Sequence, residues 1–199
     1  MTKPAKKLRL RLRARRRAQS VRARRAAALA VTRSLVATGA FARASRIGVY
    51  WPIDGELDTR PVLAALISRS KRAYLPSFAG CRPGEMRWRP FVPGAPVRRL
   101  RYGVLEPVAP RASLAPRYLD LVIVPLVAFD SDGNRLGMGA GYYDRCFSFL
   151  NTSTRKPELM GVGYEFQRVE HIEPKPWDVP VSKVITECGI HVRGRKTIR

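Results

Sequence analysis

Apolar and polar positions along this chain follow two periods, and the changes of period mark its elements. Residues 121–129 read Leu-Val-Ile-Val-Pro-Leu-Val-Ala-Phe with no charge. An unbroken run of that kind predicts a strand buried on both faces, as in a parallel sheet. Residues 130–134, Asp-Ser-Asp-Gly-Asn, are dense in turn formers and predict a loop at that strand's carboxyl end. After a glycine cluster, Tyr143, Cys146, Phe147 and Leu150 recur at helical spacing, so a helix is expected to begin near Gly141 and run to Leu150.

The pattern repeats on either side. Residues 46–51 and 73–76 predict buried strands, separated by a loop at 52–58 and an amphipathic helix at 59–68 that carries Val62, Leu63, Leu66 and Ile67, with Pro61 at its start. That order predicts a right-handed crossover between parallel strands. Residues 86–91 alternate and are closed off by Pro90, the mark of an edge strand. Residues 160–164 and 184–186 supply further strands, with Gly161 and Gly163 marking close backbone approach. Leu8, Leu10 and Leu12 alternate at period two, yet residues 6–40 are so rich in Ala, Leu and Arg that one long helix is expected there. The fold class that follows is α/β: a single-domain three-layer sandwich over residues 1–199, built around a mostly parallel sheet with helices on both faces. Residues 192–199 are expected to form a basic, unstructured tail.

Charge changes the picture next. Lys and Arg number 38 against 15 acids, a formal net charge of +23. Fifteen of those basic residues precede Ile47, and no acid occurs before Asp54. Such a balance ordinarily implies a polyanionic partner, and a nucleic-acid-binding module is the competing class. Against it, Arg far outnumbers Lys and Ala is abundant, a bias that coding-DNA composition produces by itself, and a positive field equally suits small anionic substrates. Three widely spaced cysteines, no Cys-x-x-Cys and two histidines argue against a disulfide framework or zinc site and fit a reducing compartment. The apolar stretch at 26–32 is short for a secretory signal; a cytoplasmic protein without membrane association is expected.

Candidate chemistry centres on the glycine cluster. Strand, glycine loop and helix start is the layout that receives phosphate on backbone N–H groups. No Gly-Lys-Ser/Thr closes the loop, and the spacing of Gly137, Gly139 and Gly141 is not the dinucleotide one. Instead Arg135 precedes the glycines, able to fork onto phosphate oxygens, and Asp144 follows, able to hold Mg²⁺. The plainer alternative is a strand-to-helix turn with a well-placed charge. Glu56 lies beyond a strand's carboxyl end, where open sheets bind ligands, although a solvated loop acid is the commoner case. Trp51 either walls a flat ligand or packs in the core. Asp178 reads as a turn residue, and Trp88 and Tyr102 as packing residues.

These motifs resemble the 5-formyltetrahydrofolate cyclo-ligase family, also called 5,10-methenyltetrahydrofolate synthetases. The resemblance rests on Phe129-Asp130 with Asn134-Arg135-Leu136-Gly137-x-Gly139-x-Gly141-Tyr142-Tyr143-Asp144, on Asp54-Gly55-Glu56-Leu57-Asp58-Thr59, and on Trp177-Asp178-Val179-Pro180 followed by Val184-Ile185-Thr186. It covers nearly the whole chain, most weakly at 80–115, and it begins within the basic N-terminus, which sets aside a transit-peptide reading of that segment. It implies ATP- and Mg²⁺-dependent ring closure of 5-formyltetrahydrofolate, with or without a polyglutamate tail, by a monomer with no specific nucleic-acid partner. It places Arg135 and Tyr142 in catalysis, and Leu136, Gly137, Met138, Gly139, Ala140, Gly141, Tyr142 and Tyr143 on ATP. It places Trp51, Glu56, Met138, Gly139, Ala140, Gly141 and Tyr142 on the folate, and Asp144 and Asp178 on Mg²⁺. An early lysine and arginine contact ATP in the family; Lys6 with Arg9 is preferred here, and Lys7 with Arg11 restores the spacing in another register. Ala140 stands where other members often have Gly or Lys, and Trp177 where many have His.

Overall fold

The computed structural model describes residues 3–78, 81, 85–100, 103, 105–108, 112–152 and 157–194. Five parallel strands form the centre of a seven-stranded sheet: β1 Arg46–Gly48, β2 Arg72–Ser77, β6 Leu121–Pro125, β9 Glu158–Val162 and β10 Lys183–Thr186. The edge strands β3 Arg87–Pro90 and β11 Gly189–Val192 are antiparallel to their neighbours, and the order across the sheet is β11-β10-β9-β6-β1-β2-β3. Two short ribbons lie outside it, β4 Val97–Arg99 with β5 Leu105–Pro107, and β7 Ala128–Phe129 with β8 Arg135–Leu136. Residues 192–194, expected in an unstructured tail, are instead ordered, because Val192 pairs with Lys183 in the β11 hairpin and the Gly194 N–H donates to the Ser131 carbonyl; residues 195–199 and Tyr102 lie outside the described residues.

Both faces of the sheet are covered, as the charge-free run of β6 requires. Leu121 and Ile123 pack under α2 Val21–Val36, α3 Gly39–Arg43 and α4 Arg60–Ile67, against Val31, Leu35, Phe41, Val62 and Leu66. Val122 and Val124 face the opposite cluster, with Trp88, Phe147, Leu159 and Val179. That second layer holds less helix than the first: α5 Tyr142–Cys146, a 3-10 turn at Ser148–Asn151, and loops. Trp88 is fully buried at its centre. Among the described residues no helix is long and apolar enough to cross a membrane.

The N-terminal segment is three helices, not one. α1 runs Lys3–Arg17, and Ser20 then starts α2 by accepting a hydrogen bond from the Ala23 N–H at 3.1 Å. A serine able to cap a new helix competes with continuing the old one. Leu8 and Leu12, one helical turn apart, pack α1 on Val127, Ala128, Leu136 and Ile172, whereas Leu10 stays exposed.

The apolar run 121–129 also breaks, at Leu126 and Val127, where the chain leaves the sheet for the β7–β8 hairpin. A buried side chain makes the departure possible. Gln167 Nε2 donates to the Leu126 carbonyl at 3.0 Å and the Val127 carbonyl at 2.9 Å, while its Oε1 accepts from the Tyr164 N–H at 2.8 Å. Two carbonyls that would otherwise lack strand partners are thus satisfied. Gly163 is required beside them, since a Cβ there would meet Leu126 Cδ1 at 2.8 Å and Gln167 Oε1 at 2.9 Å. Gln167→Leu keeps the volume and removes all three bonds, and is expected to lower unfolding stability by about 3 kcal/mol, on the scale of buried groups left unsatisfied. Urea denaturation measures this; a change below about 0.5 kcal/mol, ordinary for an exposed position, would show that the loop does not depend on Gln167.

Candidate active site

The glycine loop opens at the carboxyl edge of the parallel strands. Asp130 shapes the hairpin before it: its carboxylate accepts from the N–H groups of Asp132, Asn134 and Ile172 and from the Asn134 amide. Asp132 and His171 lie near Asp130, but those four donors already hold its buried carboxylate in the turn. Gly139 and Gly141 take positive φ, 105° and 65°, which side chains rarely adopt. Among the described residues the N–H groups of Gly137, Met138, Gly139, Ala140 and Gly141 donate to no protein acceptor. All of these but Gly141 are exposed, and a Cβ on Gly137 would touch nothing within 4 Å. The loop is therefore an open row of amide donors, the kind of concavity that receives anions.

The helix expected after it is shorter than its apolar spacing indicates. α5 spans five residues and ends where Phe147 turns into the core beside Trp88 and Tyr143. So short a helix has little macrodipole, and the positive potential at the loop has to come from side chains. Arg9 supplies it from α1. Its Nε donates to the Gly137 carbonyl at 2.7 Å, and its Nη1 is buried with no partner among the described residues. Partial burial lowers the Arg9 pKa, opposed by the nearby Asp178 carboxylate. Lys6 lies three residues earlier on the same helix and is exposed, as are Lys7 and Arg11. The geometry thus brings Arg9, and not Arg11, to the glycine loop.

Arg135 is not a free fork. Its side chain is 4% exposed, with Nη1 on the Val179 carbonyl at 2.6 Å and Nη2 on Asp144 Oδ1 at 2.9 Å. Asp144 Oδ1 also receives the Val179 N–H at 3.3 Å. Arg135 therefore ties α5 to the loop carrying Asp178, whose Oδ2 accepts the Lys175 N–H at 2.9 Å. Asp144 Oδ2 and Asp178 Oδ1 accept no hydrogen bond among the described residues. Two half-buried carboxylates, each with one uncommitted oxygen, fit a hard cation that takes one or two protein carboxylates. The Leu136 side chain lies against the α1 contact, and the Tyr143 ring stacks beside Phe147. Tyr142 stands at the loop, edge-on to Phe78 with centroids 4.9 Å apart, and Met138 is exposed. Arg145 reaches back to the Ala140 carbonyl at 2.7 Å.

Glu56 is the buried acid of the site. Its Oε2 accepts the Ile53 N–H at 3.1 Å, and burial pushes its pKa from 4.5 up to about 7, against the pull of Arg16. The Tyr143 phenol, raised mainly by burial, also feels the Glu56 charge and that of Arg135. Trp51 is half-buried on the first core cluster, its ring 6.4 Å from Phe91. Sequence reasoning missed Asp54, Arg13 and Arg16. Asp54 receives Arg13, Arg16 and Arg17 at 2.7, 3.0 and 3.0 Å. The advance signals were that Asp54 is the first acid after a long basic segment and opens the Asp54-Gly55-Glu56 motif, neither of which pairs it with α1.

Comparison with known proteins identifies the family. The model of the 5-formyltetrahydrofolate cyclo-ligase family matches residues 1–187. The chain is 33% identical to the 5-formyltetrahydrofolate cyclo-ligase of Haemophilus influenzae over 72% of its own length and 76% of the relative's. It is 34% identical to that of Escherichia coli over 74% and 80%. The NMR structure of 5,10-methenyltetrahydrofolate synthetase from Aquifex aeolicus superposes with a TM-score of 0.80 at 30% identity, covering 98% of this chain and 96% of that one. A Mycoplasma pneumoniae enzyme of the same name gives 0.72 at 25% identity, covering 92% and 98%. Matched by the family model over residues 1–187 and by relatives at 33–34% identity, the chain belongs to the 5-formyltetrahydrofolate cyclo-ligase family.

Proposed function

We propose that this enzyme closes 5-formyltetrahydrofolate to 5,10-methenyltetrahydrofolate with cleavage of ATP to ADP and phosphate. The observation that carries the ATP side is the buried Arg9 Nη1, without a partner among the described residues, next to the open amide row of residues 137–141. A buried guanidinium nitrogen is costly to leave unmatched, and a phosphate oxygen supplies the missing acceptor. Lys6, one turn earlier, adds an exposed ammonium.

The chemistry needs little beyond placement. A formyl oxygen on N5 is a poor leaving group; it takes the γ-phosphoryl as ADP departs. N10 then attacks the formyl carbon, the carbon–oxygen bond breaks to release phosphate, and N10 gives up its proton. Catalysis of this kind is positioning together with charge neutralisation. Mg²⁺, held by Asp144 and Asp178, would neutralise phosphate charge. Arg135 acts by fixing the Asp144 carboxylate and the Val179 backbone. Glu56, Tyr142 and Met138 hold the folate beside the loop, with Trp51 as a wall. A pterin offers adjacent N–H donors along one edge, so ionised Glu56 binds it better than protonated Glu56.

Arg9→Ala is expected to raise KM for ATP about tenfold, the scale of one lost charged hydrogen bond, when methenyl absorbance is followed in the presence of 5-formyltetrahydrofolate, Mg²⁺ and ATP. An unchanged KM would remove Arg9 from the nucleotide site. Asp144→Asn is expected to shift the Mg²⁺ titration to higher concentrations; a titration that superposes on wild type would exclude it as a ligand.

Glu56 sets a pH signature. A folded-state pKa raised from 4.5 to about 7 means that the fold favours the protonated acid. Its stabilising contribution is complete below 4.5 and is lost as pH rises through about 7. KM for 5-formyltetrahydrofolate is accordingly expected to fall as pH rises through about 7. Glu56→Gln should abolish that step and gain stability relative to wild type above it; a variant that retains the step would place the titration elsewhere.

A further inference from the structure

The loop that carries Glu56 is gripped from one side by the last turns of α1. Asp54 sits at φ 50°, in the left-handed region, and three arginines of α1 reach its carboxylate. Of these only Arg16 is withdrawn from water, its side chain 1% exposed, against 30% for Arg13 and 54% for Arg17. Arg16 spreads its donors over several elements. Nε donates to the Asp54 carbonyl at 3.0 Å, Nη2 to Asp54 Oδ2 at 3.0 Å, and Nη1 reaches the Leu126 carbonyl at 3.5 Å. The same Nη1 lies 3.8 Å from Glu56 Oε1. Between the two acids, Gly55 lies so close to α1 that a Cβ would meet the Arg16 carbonyl oxygen at 3.1 Å.

At 3.8 Å the guanidinium acts on Glu56 through its field and does not occupy Oε1, which accepts no hydrogen bond among the described residues. The other charged or titratable groups that bear on Glu56 are Arg13 on α1, Asp54 in its own loop, and the phenols of Tyr50 and Tyr143. Arg16 is the buried cation among them. We propose that Arg16 is a positioning residue: it locks the 54–56 turn and sets both the direction and the ionisation of the Glu56 carboxyl, without touching substrate. The inference rests on the assignment of Glu56 to the folate. Lysine would not serve equally, since a compact ammonium cannot fork onto Asp54 and Leu126 while facing Glu56.

The test compares Arg16→Met, Arg16→Lys, Glu56→Gln and the double variant Arg16→Met/Glu56→Gln, reading both KM values and the pH dependence of kcat/KM, with thermal unfolding to verify folding. Arg16→Met is expected to raise KM for 5-formyltetrahydrofolate about tenfold and to move the pH step upward by about one pH unit, the effect of removing a nearby opposite charge. KM for ATP should change less than about twofold, within the near-neutral range of single substitutions. In the Glu56→Gln background the Arg16→Met change should add little, because coupled residues are not additive. Arg16→Lys keeps the charge, so its pH step should stay near that of wild type while folate KM rises several-fold. That variant carries the test if Arg16→Met does not fold. Folate KM and pH step both at wild-type values in a folded Arg16 variant would overturn the proposal, even with kcat reduced. If Glu56→Gln itself leaves the folate KM and pH step unchanged, the assignment of Glu56 fails first and the inference falls with it.

Discussion

A guanidinium that has left water must find its ligands inside the protein, because an ion in a low-dielectric interior without partners is too costly for a fold to carry. Arg16, 1% exposed, is such an ion. Its partners come from the turn after β1 and from the break after β6, two loops that leave neighbouring parallel strands. Satisfying one side chain therefore fixes where α1 ends, how the chain turns at Asp54, and where the β6 backbone departs from the sheet. Arginine suits the task, since its planar fork reaches several acceptors at once. The rest of the carboxyl edge is arranged around that junction.

The elements legible in the sequence were those whose information is local. The uncharged run of β6, the Pro and apolar spacing of α4, and the alternation of β3 around Trp88 each prescribe an element within a few residues. The misreadings arose where distant groups decide. The chain leaves the sheet at Leu126 because Gln167 offers an amide forty-one residues away, and hydropathy has no means of registering that. Ser20 ends one helix and begins another through a single hydroxyl. Phe147 fits the helical period of α5 and still terminates it, because burial beside Trp88 outweighs the period.

The candidate site divides along the same line. The glycine loop, Glu56 and the two flanking acids were recognisable as a pattern, but the employment of each charge was not. Arg135 reads in the sequence as a cation awaiting phosphate; in the fold both its terminal nitrogens serve Asp144 and Val179. The N-terminal basic residues read as a surface for polyanions, yet Arg9 is committed to Gly137 and Arg13, Arg16 and Arg17 to Asp54, and of the last three Arg16 is buried. A sum of charges counts such residues as surface whether or not they face solvent. Part of the formal +23 is therefore internal wiring.

The order of α1 and its partners along the chain also bears on synthesis. The helix leaves the ribosome first, but its carboxylate partner Asp54 follows 41 residues after Arg13, and the Gly137 carbonyl that seats Arg9 follows 128 residues after Arg9. At translation rates of about 5–20 residues per second, that interval lasts several seconds or longer. Throughout it, a helix without an acid of its own waits with its arginines unmatched. The N-terminal segment thus emerges as a polycation, and folding is what supplies its acceptors. Seating α1 is the step at which those arginines find their acceptors on Gly137 and Asp54.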